Sequence, residues 1–481
     1  MTRPTRLLCI VAVLVAAGAA IETTPLRQAA APTIPAVSES RVDQIFARWK
    51  QDTPGCAVGV GVGGASVLQK AYGMADLEHD VRNTPDTIFE AGSVSKQFTA
   101  ASVLLLAKEG KLSLDDPVRK YIPELPDYGS ALLIRHMLNH TSGLRDWGEV
   151  AAIAGWPRTT RVHTHAHVLD IVSRQRSLNF VPGSQYSYSN TGYNLAAIIV
   201  ARISGKPFAE FSQERLFKPL GMTHTSWRDD FTRVVKNRAI AYAEGGDGQF
   251  RMDMPFENVH GNGGLLTTVG DLLKWNENFV SPKVGDAAFV REQQETGLFN
   301  DGRPQAYALG LFIGQYRGLR EVSHSGATAG YRAYLARYPD QHVSVAVLCN
   351  ASSGTATEYA QAVTDMYLGS ALKAARQSSA APPPRPGDTF HPATKDLAAL
   401  AGTYSSDEAE TTFVAAMDGD TLVLKQRPAT VLRLRPTAAD TFAAPPLGIV
   451  KFLRDAAGHV NEMSVSRDRV FDMRFSRTQW P

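Results

Sequence analysis

Residues 97–108 constrain the fold more than any other stretch of this 481-residue chain. Phe98, Val103, Leu104, Leu105 and Leu106 leave the segment apolar nearly all round, so a helix there belongs in a domain centre. Gly110 is placed to end it. Directly before it, after a strand-like run over 87–91, stands Ser93-Val94-Ser95-Lys96. Three residues apart on a helix, Ser93 and Lys96 share a face, and a hydroxyl beside an amine is a nucleophile with a base to hand. The helix N-terminus would also hold Ser93 beside backbone N–H groups, where negative charge is favoured. The same residues read equally well as a helix cap and a solvated lysine. A second Ser-x-x-Lys, at Ser370 and Lys373, shows how common the pattern is, so context must decide.

Composition, at 44% apolar and 20% charged, suits a globular chain with a large core and room for a second domain. Arg3 and Arg6 precede an apolar run over 7–17 and the small residues Ala17-Gly18-Ala19, so residues 1–19 read as a signal peptide and the protein as secreted or periplasmic. The run is short for a span, and no other stretch approaches the roughly 20 residues a span needs, so no stable membrane span is expected after cleavage. Cleavage would leave 48 basic against 47 acidic residues, a balance that argues against nucleic acid or an anionic membrane as partner. Cys56 and Cys349 remain in the mature chain, each in a strand-like run. They either pair, if those strands are neighbours in register, or stay as buried thiols.

Residues 20–37 read as a flexible lead-in and 38–374 as one mixed α/β domain. A first helix is expected behind Ser38 and Ser40, ending near Pro54, then strands over 55–63 and 66–72. Strands over 307–316, 321–324, 331–338 and 343–350 and a helix over 355–374 should close the domain, first and last strands joining one sheet. Residues 375–393, rich in Ala and Pro, read as a linker. Residues 394–481 read as a small antiparallel barrel or sandwich, with strands over 411–417, 421–426, 431–436, 449–455 and 470–475.

Two further elements could serve Ser93. Tyr188-Ser189-Asn190 puts a phenol and an amide on a loop before a helical run, and an ammonium at Lys96 would help a Tyr188 phenolate act as base. His324-Ser325-Gly326-Ala327 ends a strand, where Gly326 allows close backbone approach and His324 could donate to substrate. Each also has a bland reading, as packed aromatic, cap or structural histidine.

Together with Phe89-Glu90-Ala91-Gly92 before Ser93, the run from Ile134 through Asn139-His140-Thr141-Ser142-Gly143 to Leu144, Pro219-Leu220-Gly221-Met222 and Gly263-Gly264-Leu265, these elements resemble the serine hydrolases that include penicillin-binding proteins, class C β-lactamases and related esterases and D-amino-acid peptidases. The resemblance covers about residues 40–370. It implies a β-lactamase/transpeptidase-like domain, an antiparallel sheet flanked by helices with a helical subdomain, followed by a small all-β, lipocalin-like domain. By the same resemblance Ser93 is the acylated nucleophile, Lys96 helps deprotonate it, and Tyr188 is base and then acid to the leaving group. Asn190 orients substrate amides, and the N–H groups of Ser93 and Ala327 form the oxyanion hole, each donor worth about 3 kcal/mol. His324 stands where many relatives carry lysine, which tilts the reading toward an esterase or D-amino-acid peptidase of D-Ala-D-Ala carboxypeptidase type. The substrate would be a small molecule or peptide, cell-wall peptides among them, with no cofactor. The competing readings are a β-lactamase, a non-catalytic penicillin or peptidoglycan-peptide receptor, and, more remotely, a metal-dependent hydrolase built on His163, His165 and His167.

Overall fold

The computed structural model describes residues 1, 37–158, 160–374, 390–427 and 429–478. Apart from Met1 and Val37, the expected signal segment and lead-in lie outside the described residues, as does most of the expected linker. The organising layer is a six-stranded antiparallel sheet of β1 (Cys56–Val62), β2 (Ala65–Tyr72), β3 (Phe312–Tyr316), β4 (Leu319–Thr328), β5 (Tyr331–Tyr338) and β6 (Val343–Cys349), in the order β3-β4-β5-β6-β1-β2. The first strand of the domain thus pairs with its last, as the sequence pattern predicts. The pairing aligns Cys56 with Cys349, and the two form a disulfide, which resolves the choice left open above.

Side chains alternate across the sheet. On one face Val58, Val60, Tyr334, Ala336, Val345 and Val347 pack against helices α1 (Glu39–Ile45) and α7 (Ala356–Leu368). On the other, Ala57, Ala333, Leu335, Ala346 and Leu348 meet α2 (Lys96–Lys108), α5 (Asn190–Ser204) and α6 (Val269–Glu277). Every residue of α2 from Lys96 to Leu106 is buried, which is what an all-apolar helix requires. Helix α1 ends at Ile45, well short of Pro54. Tyr307 does not begin a strand: the chain turns at Gly310, where a Cβ would fall 2.7 Å from the backbone of Lys96 and Gln97, and β3 starts only at Phe312.

Between these layers and the trailing residues stand two short helices, α3 (Trp147–Ile153) and α4 (His165–Arg174). Residues 402–478 form a nine-stranded antiparallel sheet. Its two outermost members, Thr430–Arg433 and Arg435–Ala438, are consecutive in sequence across Leu434, so the sheet comes round nearly to closure over a core that includes Tyr404, Phe413, Phe452 and Phe475. Three of the strands, Gly402–Ser406, Thr441–Ala444 and Val460–Arg467, were not legible in the sequence pattern, and the single run over 431–436 is two strands. Val150 and Ile153 of α3 join this core, and Arg145, almost fully buried, donates to Glu408 Oε1 (2.6 Å) and the Phe471 carbonyl (3.1 Å). Both sheets belong to one compact unit.

The disulfide closes a loop of 293 residues, so its removal should release much chain entropy in the unfolded state. Cys56→Ala with Cys349→Ala is expected to lower unfolding free energy by about 2–5 kcal/mol. Denaturant titration of the full chain under non-reducing conditions measures it; equal stability of variant and wild type would contradict the pairing.

Candidate active site

Glu90, on the short strand Phe89–Glu90, lies fully buried and accepts two hydrogen bonds from Arg228, at 2.8 Å (Nε) and 3.0 Å (Nη2). This pair anchors the segment that leads into the tight turn Gly92–Ser95, from which α2 continues. Gly92 has φ +50° and its Cβ position lies 2.6 Å from Ala327 N, while a Cβ on Gly326 would fall 2.1 Å from the Ala91 carbonyl oxygen. Only glycines let the turn and β4 approach this closely, and the approach brings the backbones of Ser93 and Ala327 together. Ser95 ties the turn by donating to the Gly92 carbonyl at 2.5 Å.

Lys96 is fully buried beneath Ser93. Its Nζ lies 3.2 Å from Ser93 Oγ, 2.9 Å from Asn190 Oδ1 and 2.8 Å from the Asn262 carbonyl oxygen. Burial holds its amine well below the ordinary lysine range, with Arg158 and Arg469 pushing the same way against Asp146. A neutral amine has two N–H groups and one lone pair. With the two carbonyl oxygens taking two N–H groups, loss of the third proton from Nζ would leave a lone pair facing the Ser93 hydroxyl.

Tyr188 completes the cluster from the loop before α5. Its hydroxyl is buried and lies beside Ser93 without hydrogen-bond geometry to it or to any other group among the described residues. Two basic side chains approach its ring, Lys96 Nζ at 4.7 Å and Arg469 Cζ at 4.8 Å from the centroid. Burial pushes the phenol's pKa above its ordinary value, making it a weaker acid, opposed by the Ser93 hydroxyl and Arg469. The sequence suggested a phenolate stabilised by an ammonium; here burial favours the uncharged form of both groups, the phenol of Tyr188 and the amine of Lys96.

Asn190 begins α5, its N–H donating to Asp146 Oδ2 at 2.8 Å while its Oδ1 holds Lys96. His324, Ser325, Gly326 and Ala327 lie along β4 on the wall of the same cavity. His324 is held differently from expectation. Its Nδ1 faces the Ser325 carbonyl oxygen at 2.6 Å and so must carry the proton, and Nε2 then accepts from Tyr307 Oη at 2.9 Å. Burial pulls it down to about 3, so the ring is neutral and both nitrogens are engaged by the protein rather than offered to substrate.

Three contributors were missed. Asn262 acts through its backbone carbonyl, which no side-chain pattern reveals, although it adjoins the Gly263-Gly264 pair noted above. His140 sits among tyrosines, its ring 4.2 Å from Tyr188 and 4.6 Å from Tyr307, accepting from the Ser189 N–H at 3.2 Å. Arg469 lies on the two-residue turn between strands Val460–Arg467 and Val470–Thr478 of the trailing sheet; its carbonyl accepts from Asp146 N and Asn179 Nδ2, and its N–H meets Glu149. The cavity of about 620 Å³ is lined by Ser93, Tyr188, Asn190, His324 and Ala327, with Arg158, Arg332 and Arg469 among its walls.

The histidines of 163–167 do not gather. His163 meets the Trp156 carbonyl, His165 the His260 carbonyl, and His167 turns back onto Thr164.

A family model described as Beta-lactamase matches residues 39–368, more than two thirds of the chain. The chain belongs to the β-lactamase family. Among curated members of the wider group, a D-aminopeptidase of Gluconobacter oxydans (strain 621H) is 28% identical over 357 residues, 74% of this chain but 63% of that protein, so this chain spans under two thirds of its relative. The octameric penicillin-binding protein homologue from Pyrococcus abyssi shares the fold with a TM-score of 0.61 at 24% identity, covering 91% of this chain and 98% of that one. D-amino acid amidase from Ochrobactrum anthropi SV3 has a TM-score of 0.60 at 23% identity, over 69% of this chain and 99% of its own. The likeness to the Pyrococcus protein takes in the trailing sheet as well as the β-lactamase-family domain.

His140 and His324 are buried, His165 and His260 half-buried, and all four are pushed below the ordinary histidine value, mainly by loss of solvation. Unfolding near pH 6 therefore takes up protons that the folded chain refuses. Stability should be fully present above about pH 6.5 and fall as pH drops from there, by up to about 1.4 kcal/mol per pH unit for each histidine. Denaturant unfolding at pH 7.5, 6.5 and 5.5 tests this; flat or rising stability on acidification would contradict it.

Proposed function

We propose that this protein is a serine hydrolase that cleaves an ester or amide through an acyl-enzyme on Ser93. The observation that carries the reading is the buried amine of Lys96, 3.2 Å from Ser93 Oγ, with burial favouring its uncharged form. Ser93 Oγ attacks the acyl carbonyl carbon as Lys96 Nζ takes the hydroxyl proton. The tetrahedral oxygen is met by the N–H groups of Ser93 and Ala327. Tyr188, a phenol with its hydroxyl free beside Ser93, passes a proton to the leaving oxygen or nitrogen and recovers it from Lys96. The acyl–leaving-group bond breaks, and a water then repeats the steps in reverse to free the acid. Asn190, its Oδ1 pinned by Lys96, keeps Nδ2 for a substrate carbonyl.

The relatives named D-aminopeptidase and D-amino acid amidase support a D-amino-acid amide or ester as substrate class. The cavity wall refines this. Arg332 and Arg469 line it against a single acid, Glu358, with Arg158 beside them balanced by Glu257, which favours a substrate bearing a carboxylate and disfavours a free ammonium. A peptide ending in a free D-residue, or its ester counterpart, fits better than an aminopeptidase substrate. The trailing sheet, which we read as lipocalin-like, supplies one of those arginines. The N-terminal pattern and the Cys56–Cys349 disulfide support export to an oxidising compartment.

Intact-mass spectrometry after exposure to an activated D-alanyl ester should show one adduct per chain, absent in Ser93→Ala; an adduct that persists in that variant would overturn the assignment. Tyr188→Phe should lower kcat by at least about a hundredfold with little change in KM. Arg469→Ala should raise KM for a peptide with a free terminal carboxylate more than for its amidated counterpart, and an equal effect on both would count against the carboxylate reading.

A further inference from the structure

A second cavity, of about 790 Å³, lies between α6 and the ends of β1, β2, β5 and β6, and shares no lining residue with the catalytic one. Arg337 of β5 is in its wall. The side chain is almost wholly buried, its guanidinium carbon 3.5 Å from the centre of the Phe279 ring and its Nη1 3.3 Å from Asn276 Oδ1. Among the described residues its Nε and Nη2 have no partner and no carboxylate forms an ion pair with it. The charge that reaches it most strongly is another cation, Arg320, which lines the same cavity.

Elsewhere in this protein that same edge of an arginine is where carboxylates bind. Arg228 holds Glu90 through Nε and Nη2, Arg454 holds Asp440 at 2.8 and 2.9 Å through the same pair, and Arg158 holds Glu257 likewise. Arg337 has its plane fixed by the Phe279 ring and this edge left over. A buried guanidinium with two unspent donors is costly unless an anion completes it.

We propose that this cavity is a binding site for a small carboxylate-bearing molecule, with Arg337 as the two-pronged donor and Arg320 as the supporting charge. Two coplanar N–H groups match the two oxygens of a carboxylate. Leu220, Leu273 and Val280 in the wall suit an apolar body attached to it. Glu277 in the same wall favours a single negative charge over the nearly double charge of phosphate.

The test is calorimetric titration of the full-length wild type with hexanoate, hexanamide and inorganic phosphate. Saturable hexanoate binding is expected, with hexanamide and phosphate at least about tenfold weaker. Arg337→Met should weaken hexanoate at least about tenfold and Arg320→Ala about threefold, while Arg469→Ala leaves it unchanged. Arg320 is exposed, so its variant keeps the test decisive if Arg337→Met fails to fold. Absence of saturable binding, loss in Arg469→Ala instead of the Arg320 and Arg337 variants, or preference for phosphate would each overturn the proposal. Because Ser93 takes no part in this binding, the acyl-enzyme reading stands or falls separately.

Discussion

The buried amine of Lys96 is the contact on which the active region depends. Its three neighbours come from three parts of the chain: Ser93 on the turn before α2, Asn190 at the start of α5, and the carbonyl of Asn262. A lysine at zero exposure is tolerated only where its polar atom is fully partnered, and here the partnering also fixes the direction of the lone pair. The largely apolar character of α2 follows from the same arrangement. To bury Lys96 the helix must run through the core, which its own Phe98, Val103, Leu104 and Leu106 join.

Charge organises the rest of the cavity. Arg228 and Arg158 are each balanced by Glu90 and Glu257, whereas Arg469 enters from the trailing sheet with only a distant contact, 3.8 Å, to Asp146. Its guanidinium lies over Tyr188 and lowers the cost of charge on that phenol. The second sheet is thus coupled to the first through side chains at the chemistry itself, held in register by Arg145 and the backbone bonds around Asp146 and Asn179. Substrate preference and proton transfer share one arginine, so a change at this hairpin acts on both.

Much of this was legible from the residues. The three-residue step from Ser93 to Lys96, the two-residue step from Tyr188 to Asn190, and the strand ending in His324-Ser325-Gly326 are local patterns, and local patterns survive in a sequence. The alternation of apolar residues over 331–338 and 343–350 likewise pointed to central strands. What failed to show was long-range or electrostatic. Arg469 is 281 positions from Tyr188 and carries no motif. Asn262 contributes a carbonyl that any residue type possesses. His324 was expected to donate to substrate because it ends a strand beside Gly326; only the position of Tyr307, set by the turn at Gly310, reveals that its Nε2 is already taken. The short strands missed in the trailing sheet, such as Thr441–Ala444, are too brief to show an alternation of their own.

The account rests on a neutral Lys96, and the most direct measurement is titration of its side-chain nitrogen by ¹⁵N NMR in the full chain, assigned by comparison with Lys96→Arg. A resonance that stays in the free-amine range at neutral pH, with its titration far below the ordinary lysine value, is what the burial and the three partners predict. An ammonium at neutral pH titrating near 10.5 would contradict it, and would leave Ser93 without its base.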